Sequence, residues 1–188
     1  MSEPRTALNR ARAGAGHLIR IEDRGPVGQV TLRGDLSAEG VRAAVRAAVG
    51  VDVPDRLGAA FEGARGAVWM SPDELLLFTA YDLAGELVEG LEAALSGTHH
   101  MAVDVSDARA VIALAGARVA EVLAKGAPVD LAAFPIGSAR RTHIGGVAVA
   151  FWRRTEEEWE IVCLRSFARH LFDWLAQTSR QGSEVGAF

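Results

Sequence analysis

The fold is decided by residues Val103–Leu131, which read VDVSDARAVIALAGARVAEVLAKGAPVDL. Runs of apolar residues on both sides of Ser106–Asp107 predict a strand, a tight turn and a second strand. Gly116 then opens a short helix, and a Pro-containing turn at residues 127–130 ends the stretch. This succession of short strands and a helix is typical of an α+β protein.

The composition excludes several classes of protein. Hydrophobic residues make up 49% of the 188 residues, which is enough to bury a core. A net charge of -4 argues against nucleic-acid binding, which needs a basic face. The single cysteine, Cys163, excludes an internal disulfide and a four-thiolate zinc site. We expect neither a secretory signal nor a membrane span, and therefore a cytoplasmic protein.

Local sequence patterns predict further elements on either side of this stretch. Valines at helical spacing predict a helix over Ser37–Val49, and residues 51–66, rich in Gly and Pro, are predicted to be mostly loop. Ser37, Asp82 and Ser166 are the predicted N-caps of three helices. Gly145-Gly146 is a predicted two-residue hairpin turn.

An internal repeat predicts the architecture. Residues 30–45 and 111–126 both give a strand, a glycine turn and a helix, and residues 68–91 and 147–175 both give a hairpin and a helix. We therefore predict two ferredoxin-like β-α-β-β-α units, with antiparallel sheets and helices packed on one face. The predicted divisions are a flexible N-terminal tail at 1–17, a first half at 18–98, a second half at 99–178 and a C-terminal tail at 179–188.

Few residues suggest chemistry. His99-His100 is either a metal ligand pair or a polar loop, and the loop is favoured because adjacent side chains in an extended segment point to opposite faces. Asp104, Asp107 and Arg109 are either a charged site or turn residues that bond nearby backbone amides, and the turn is favoured. Cys163 alternates with Trp159 and Ile161, which indicates a core position. We predict no catalytic, cofactor-binding or metal-binding residue.

Aromatic and arginine side chains are the candidates for a protein interface, where both are enriched. Trp152 lies beside Arg153 and Arg154 at a predicted strand end, next to the acidic run Glu156–Glu158. These three residues and Trp69 are the predicted interface residues.

Several motifs, in order and at the same spacing, resemble the gamma subunit of heterotetrameric sarcosine oxidase. They cover most of residues 67–178, and the N-terminal third is only loosely similar. The motifs are Val68-Trp69-x-Ser71-Pro72-Asp73-Glu74, Asp104-Val105-Ser106-Asp107, Leu114-x-Gly116, Val122-Leu123-Ala124-Lys125-Gly126, Pro128-x-Asp130-Leu131 and Phe134-Pro135-x-Gly137.

The resemblance implies a fold and a function. The family is similar in fold to the folate-binding part of the glycine-cleavage T-protein, also called aminomethyltransferase. It implies a complex that demethylates sarcosine to glycine, transfers the one-carbon unit to tetrahydrofolate and forms hydrogen peroxide. The implied partners are the alpha, beta and delta subunits, which carry the flavins, NAD, folate and zinc, and no cofactor is expected in this chain. The alternative hypothesis is a stand-alone folate-binding one-carbon protein of T-protein-like fold.

Overall fold

The computed structural model describes residues 4–186, which form two antiparallel sheets and four α-helices. The helices are α1 (Glu39–Val49), α2 (Ala84–Ala94), α3 (Val119–Ala124) and α4 (Ala168–Thr178). The strands are β1 (Arg12–Ala13), β2 (Arg20–Asp23), β3 (Gly28–Gly34), β4 (Ala59–Glu62), β5 (Arg65–Ser71), β6 (Glu74–Thr79), β7 (His100–Asp104), β8 (Arg109–Ala115), β9 (Ala139–Ile144), β10 (Val147–Arg153) and β11 (Glu158–Leu164). None of the helices in this range is long and apolar enough to cross a membrane.

The chain divides into two compact units. The continuous unit is Pro26–Asp107, and the split unit combines the chain up to Gly25 with the chain from Ala108 onwards. These bounds differ from the predicted halves, 18–98 and 99–178, because the first strand of each predicted half joins the other sheet. Thus β2 pairs with β8, and β7 pairs with β3.

The continuous unit is ferredoxin-like. Its strand order is β4-β5-β6-β3-β7, and every neighbouring pair is antiparallel. Period-two alternation turns Val30, Leu32, Leu75 and Leu77 to one face, where they share a core with buried residues of α1 and α2. One core under two helices on a single sheet face confirms the predicted α+β class.

The split unit has the order β1-β2-β8-β11-β10-β9, again with antiparallel neighbours. Ile21, Ile112 and Ile161 lie on the face that shares a core with α3 and α4. Strand β2 holds the position beside β8 that β7 holds beside β3. The N-terminal strand therefore completes the sheet formed by the C-terminal half of the chain.

The three predicted helix caps are wrong, the loop at residues 51–66 is interrupted by a short strand, and the predicted hairpin turn is confirmed. None of the helix starts has a side-chain cap bond, and the Ser37 hydroxyl donates to Asp35 instead. Residues 51–66 contain strand β4 as well as loop. The hairpin turn is as predicted, because Gly145 and Gly146 both have positive φ and Ile144 pairs with Val147.

Packing and hydrogen bonds hold both ends of the described part of the chain, residues 4–186, against the split unit. Residues 1–3 and 187–188, part of the predicted tails, lie outside the described residues. At the N-terminus Leu8 is buried, and β1 pairs with β2. At the C-terminus the Lys125 ammonium donates to the carbonyls of Thr178 and Ser183, each at 2.6 Å. The Glu121 carboxylate accepts the N–H of Val185 at 2.6 Å, so α3 and the residue that follows it fix this segment at two points.

Candidate functional site

A charged trough lies on the face of the split unit's sheet that α3 and α4 do not cover. Since Ile112 and Leu114 enter the core, the alternating Ala113 and Ala115 of β8 face the other way. Each alanine lies between two long side chains of the neighbouring strands. Ala113 is opposite both Glu22 and Glu160, and Ala115 is opposite both Arg20 and Glu158. Because the alanines are small and the side chains on both sides are long, a cavity of about 360 Å³ lies over the alanines. Arg24 and Arg154 also line this cavity.

Glu160 is the central residue of this trough. Its Oε2 atom accepts a hydrogen bond from the indole Nε1–H of Trp152 at 2.9 Å and one from Arg154 Nη1 at 3.1 Å. Its Oε1 atom accepts one from Arg24 Nε at 3.1 Å. Register explains the geometry, because Trp152 is directly opposite Glu160 on β10. The side chain is 11% exposed, so this ion pair is shielded more than a surface one.

Trp152 was predicted as an interface residue, and this prediction is corrected by its burial. Its side chain is fully buried, and its only polar atom donates to Glu160, so it offers no surface to a partner. Its neighbours across the sheet are Ala139 on β9 and Glu160 on β11. Trp69 is partly buried and packs against the core of the continuous unit.

Arg153 and Arg154 point to opposite faces of the sheet. Arg153 donates to the Phe134 carbonyl at 2.7 Å and to the Glu156 carboxylate at 2.7 Å, and its guanidinium lies 5.4 Å from the Trp159 ring centroid. It thereby fixes the Phe134 loop. Both arginine side chains keep about a fifth of their surface exposed, 20% and 23%. Their predicted contact with a partner stays a prediction.

The His99-His100 pair does not converge on a metal site. The His100 ring lies 2.8 Å from the Thr98 carbonyl through Nδ1, and its Nε2 lies 3.3 Å from the Glu92 carboxylate. Within residues 4–186 no group of three or more His, Cys, Asp or Glu side chains is arranged to hold a metal ion.

The Ser106–Asp107 segment is held by local turn contacts, the interpretation that the sequence favoured. Asp104 accepts the Ser106 N–H at 2.9 Å, and Ser106 Oγ in turn accepts the Gln29 N–H at 2.9 Å. Asp107 accepts a hydrogen bond from the Tyr81 hydroxyl at 3.0 Å. These contacts join β7 to its neighbours and leave Asp104 engaged in the turn.

Cys163 is buried in the core of the split unit. Burial raises the pKa of the thiol to about 11, because a thiolate is poorly solvated there. The side chain is therefore held as an inert thiol at neutral pH.

Sequence reasoning missed Glu160 and Arg24. A signal for Glu160 exists, since it is a lone acid in the apolar run WEIVC, and a charge in such a strand needs a partner. Arg24 gives no such signal, because it follows a short strand and meets Glu160 across 136 positions. With three arginines and three glutamates, the trough suits the binding of a polar or charged group.

Comparison with known proteins identifies relatives. The model of the sarcosine oxidase, gamma subunit family matches residues 33–181. Sarcosine oxidase subunit gamma of an Arthrobacter species is 35% identical over 139 residues, and that of Corynebacterium strain U-96 is 34% identical over 137 residues. Each alignment covers 71% of this chain and 66% of the relative, so the match spans slightly less than two thirds of the relatives' length.

Two solved structures share the fold. A chain of the heterotetrameric sarcosine oxidase of Corynebacterium sp. U-96, in complex with pyrrole 2-carboxylate, superposes with a TM-score of 0.80 at 28% identity, covering 94% of this chain and 91% of that one. The glycine cleavage system aminomethyltransferase T of Bartonella henselae gives a TM-score of 0.62 at 17% identity. That match covers 81% of this chain and 44% of the aminomethyltransferase, and it shows a common fold only.

Proposed function

The chain belongs to the sarcosine oxidase gamma subunit family, and from this membership we propose that it is a structural subunit of a heterotetrameric sarcosine oxidase. That complex oxidatively demethylates sarcosine to glycine, transfers the one-carbon unit to tetrahydrofolate and forms hydrogen peroxide. The proposed partners are the alpha, beta and delta subunits. The flavins, NAD, folate and zinc belong to those partners, and the proposed location is the cytoplasm.

The observation that carries the proposal is the superposition on a chain of a heterotetrameric sarcosine oxidase. It extends over both units, because 94% of this chain is covered. The family model also supports it, since residues 33–181 contain the continuous unit except residues 26–32, which include most of β3, and contain most of the split unit.

The structure also suggests how a subunit of this kind contributes. The trough around Glu160 is held by ion pairs and an indole hydrogen bond, an arrangement that fixes a surface in shape. Fixed, partly shielded polar groups favour recognition of a partner with complementary charge. We propose that the trough, Arg153, Arg154 and Trp69 belong to docking surfaces of the complex.

Co-expression with the three partner subunits tests the proposal. A tag on this chain should recover all four polypeptides together with flavin and sarcosine-dependent hydrogen peroxide formation. The tagged chain expressed alone should bind no flavin. Recovery of this chain without partners from co-expressing cells would overturn the proposal, as would stoichiometric flavin on the isolated chain.

The alternative, a stand-alone folate-binding one-carbon protein, rests on the fold shared with aminomethyltransferase T, and a shared fold is a weak warrant for a shared ligand. The chain corresponds to less than half of that enzyme. Titration calorimetry of the free chain with a reduced folate separates the two hypotheses, because micromolar binding would favour the alternative.

A further inference from the structure

Strand β7 is an edge strand with an unused row of backbone groups. It ends the sheet order β4-β5-β6-β3-β7 and pairs only with β3 among the described residues. The N–H of Val105 donates to the Gln29 carbonyl at 2.8 Å, so odd-numbered residues direct their backbone groups to β3. The N–H and C=O groups of Ala102 and Asp104 consequently point away from the sheet.

One face of this edge lacks the protection that sheet edges usually have. Charged side chains, proline and bulges normally prevent an edge from pairing with another chain. Edge strand β9 of the other sheet follows this rule, because it carries Arg140, Arg141 and His143. Strand β7 instead exposes Met101 and Val103, 42% and 43% respectively, on one face. An unpaired edge beside exposed apolar side chains is the combination that accepts an added strand.

The other flank of this edge is acidic. Helix α2, which packs on β3 and β7, has three glutamates and neither lysine nor arginine. The Glu92 carboxylate lies 3.3 Å from His100 of β7, which places it at this edge. The exposed Asp104 adds a further negative charge on the strand itself. A strand added here would meet apolar side chains on one face and carboxylates on the other.

We propose that β7 binds an extended segment of a partner subunit as an additional strand. Alternate residues of that segment are apolar, against Met101 and Val103, and the intervening residues include lysine or arginine, facing Glu92 and Asp104. A second copy of this chain fits less well, because it would bring two acidic α2 flanks together. This inference rests on the proposed function, since the occupant is taken to be another polypeptide of the complex.

Substitution of the exposed pair provides the first test. The double variant Met101→Lys and Val103→Lys places two ammonium groups where the added strand would bury apolar side chains. The affinity of the complex should fall about tenfold or more, while Leu164→Lys, at a somewhat more exposed apolar position on β11, should change it little. The inference would be overturned if both variants weakened the complex equally, or if neither variant weakened it.

Amide hydrogen exchange of the unaltered chain provides the second test and does not depend on whether the variant folds. In the free chain the outward amides of Ala102 and Asp104 should exchange faster than those of Met101 and Val103. In the purified complex all four should be protected. Unchanged exchange of Ala102 and Asp104 in an intact complex would overturn the inference and leave the proposed function standing. If no complex forms, the proposed function itself fails. Protection that depends on the concentration of the free chain alone would identify a second copy as the occupant and would also overturn it.

Discussion

Glu160 joins the residue after β2 to the neighbouring hairpin strand β10 and the loop that follows it. Its carboxylate receives hydrogen bonds from the residue after β2, from β10 and from the loop after β10. Removing one member of a shielded charge network leaves the other members without their partner, which costs more than the network contributes over an apolar replacement. The trough therefore depends on this one side chain for its shape.

We predict that Glu160→Ala lowers the free energy of unfolding by about 2–3 kcal/mol, because the Trp152 N–H and two guanidinium groups lose their acceptor. Urea denaturation measures the change. The matched control is Glu158→Ala on the same strand, an exposed position, where the change should stay below about 0.5 kcal/mol. A similar loss in both variants would contradict the role assigned to Glu160.

At the residue scale, sequence reasoning identified buried apolar positions better than polar partners. Period-two alternation correctly placed Cys163, Trp159 and Ile161 on one face, because side-chain direction in a strand follows from position alone. The hydrogen bond from Trp152 to Glu160 depends instead on the register between β10 and β11. That register is not encoded within the few residues around Trp152.

At the element scale, the β9–β10 hairpin turn offers a matched pair of glycines. Both have positive φ, +55° at Gly145 and +82° at Gly146, which disfavours any other residue. A Cβ at Gly145 would also lie 2.8 Å from the Trp174 ring, whereas a Cβ at Gly146 would meet nothing within 4 Å.

We predict that Gly146→Ala costs about 1–2 kcal/mol for the backbone alone. Gly145→Ala should cost about 1–2 kcal/mol more, because the Trp174 ring must move. Thermal and urea unfolding of both variants measure the difference. Equal destabilisation would show that the Trp174 ring gives way at no cost.

Helix α3 and the C-terminal segment form a pH-dependent contact. Hydrogen bonds from the Val185 and Gly186 amides lower the pKa of the Glu121 carboxyl in the folded chain. The contact is thus fully present above the carboxyl's ordinary pKa of about 4.3 and is lost as the pH falls through the lowered folded-state value.

We predict faster amide exchange at Val185 and Gly186 in acid, after correction for the intrinsic pH dependence, and in Glu121→Ala at neutral pH. Glu184→Ala is the control, because its carboxylate lies in the same segment and does not accept these amides. Unaltered exchange in Glu121→Ala would show that other contacts hold the segment.

Elements whose apolar residues recur at regular spacing were predictable from the sequence. Elements that exist because another strand pairs with them were not. Helix α1 shows its valines at helical spacing, so its range was predicted to within two residues at its start. Strand β4 has only four residues, none of them buried, and it exists because β5 pairs with it. The predicted cap at Ser37 is wrong for a related reason, because the Ser37 hydroxyl donates to the Asp35 carboxylate and not to the helix.

At the scale of the whole molecule, strand β2 near the N-terminus belongs to the same sheet as the C-terminal strands β8 to β11. Ile19 and Ile21 of the N-terminal segment are buried in the same core as Leu171 and Leu175 of α4. The internal repeat predicted two similar units correctly, but it did not indicate that each unit takes its adjacent strand from beyond the predicted boundary. That assignment follows from long-range pairing, which a single sequence does not display.

We predict that removal of residues 1–24 abolishes stable folding of the split unit, whereas removal of residues 1–16 does not. Burial of Ile19 and Ile21 stabilises the fold by about 3–6 kcal/mol, a large part of the 5–15 kcal/mol typical of a domain. Circular dichroism and size-exclusion chromatography of the two truncated chains measure the outcome. A cooperative melt of the shorter chain at the original temperature would contradict the prediction.

The interleaving of strands between sheets also sets an order for events during synthesis. The segment from Pro26 to Asp107 leaves the ribosome as one contiguous piece and holds every strand of its own sheet. Strand β2 emerges earlier, yet β8 is made more than eighty residues afterwards. Nascent β2 therefore has no β8 to pair with while the intervening domain is made, and a chaperone that recognises exposed strand edges would find its substrate there.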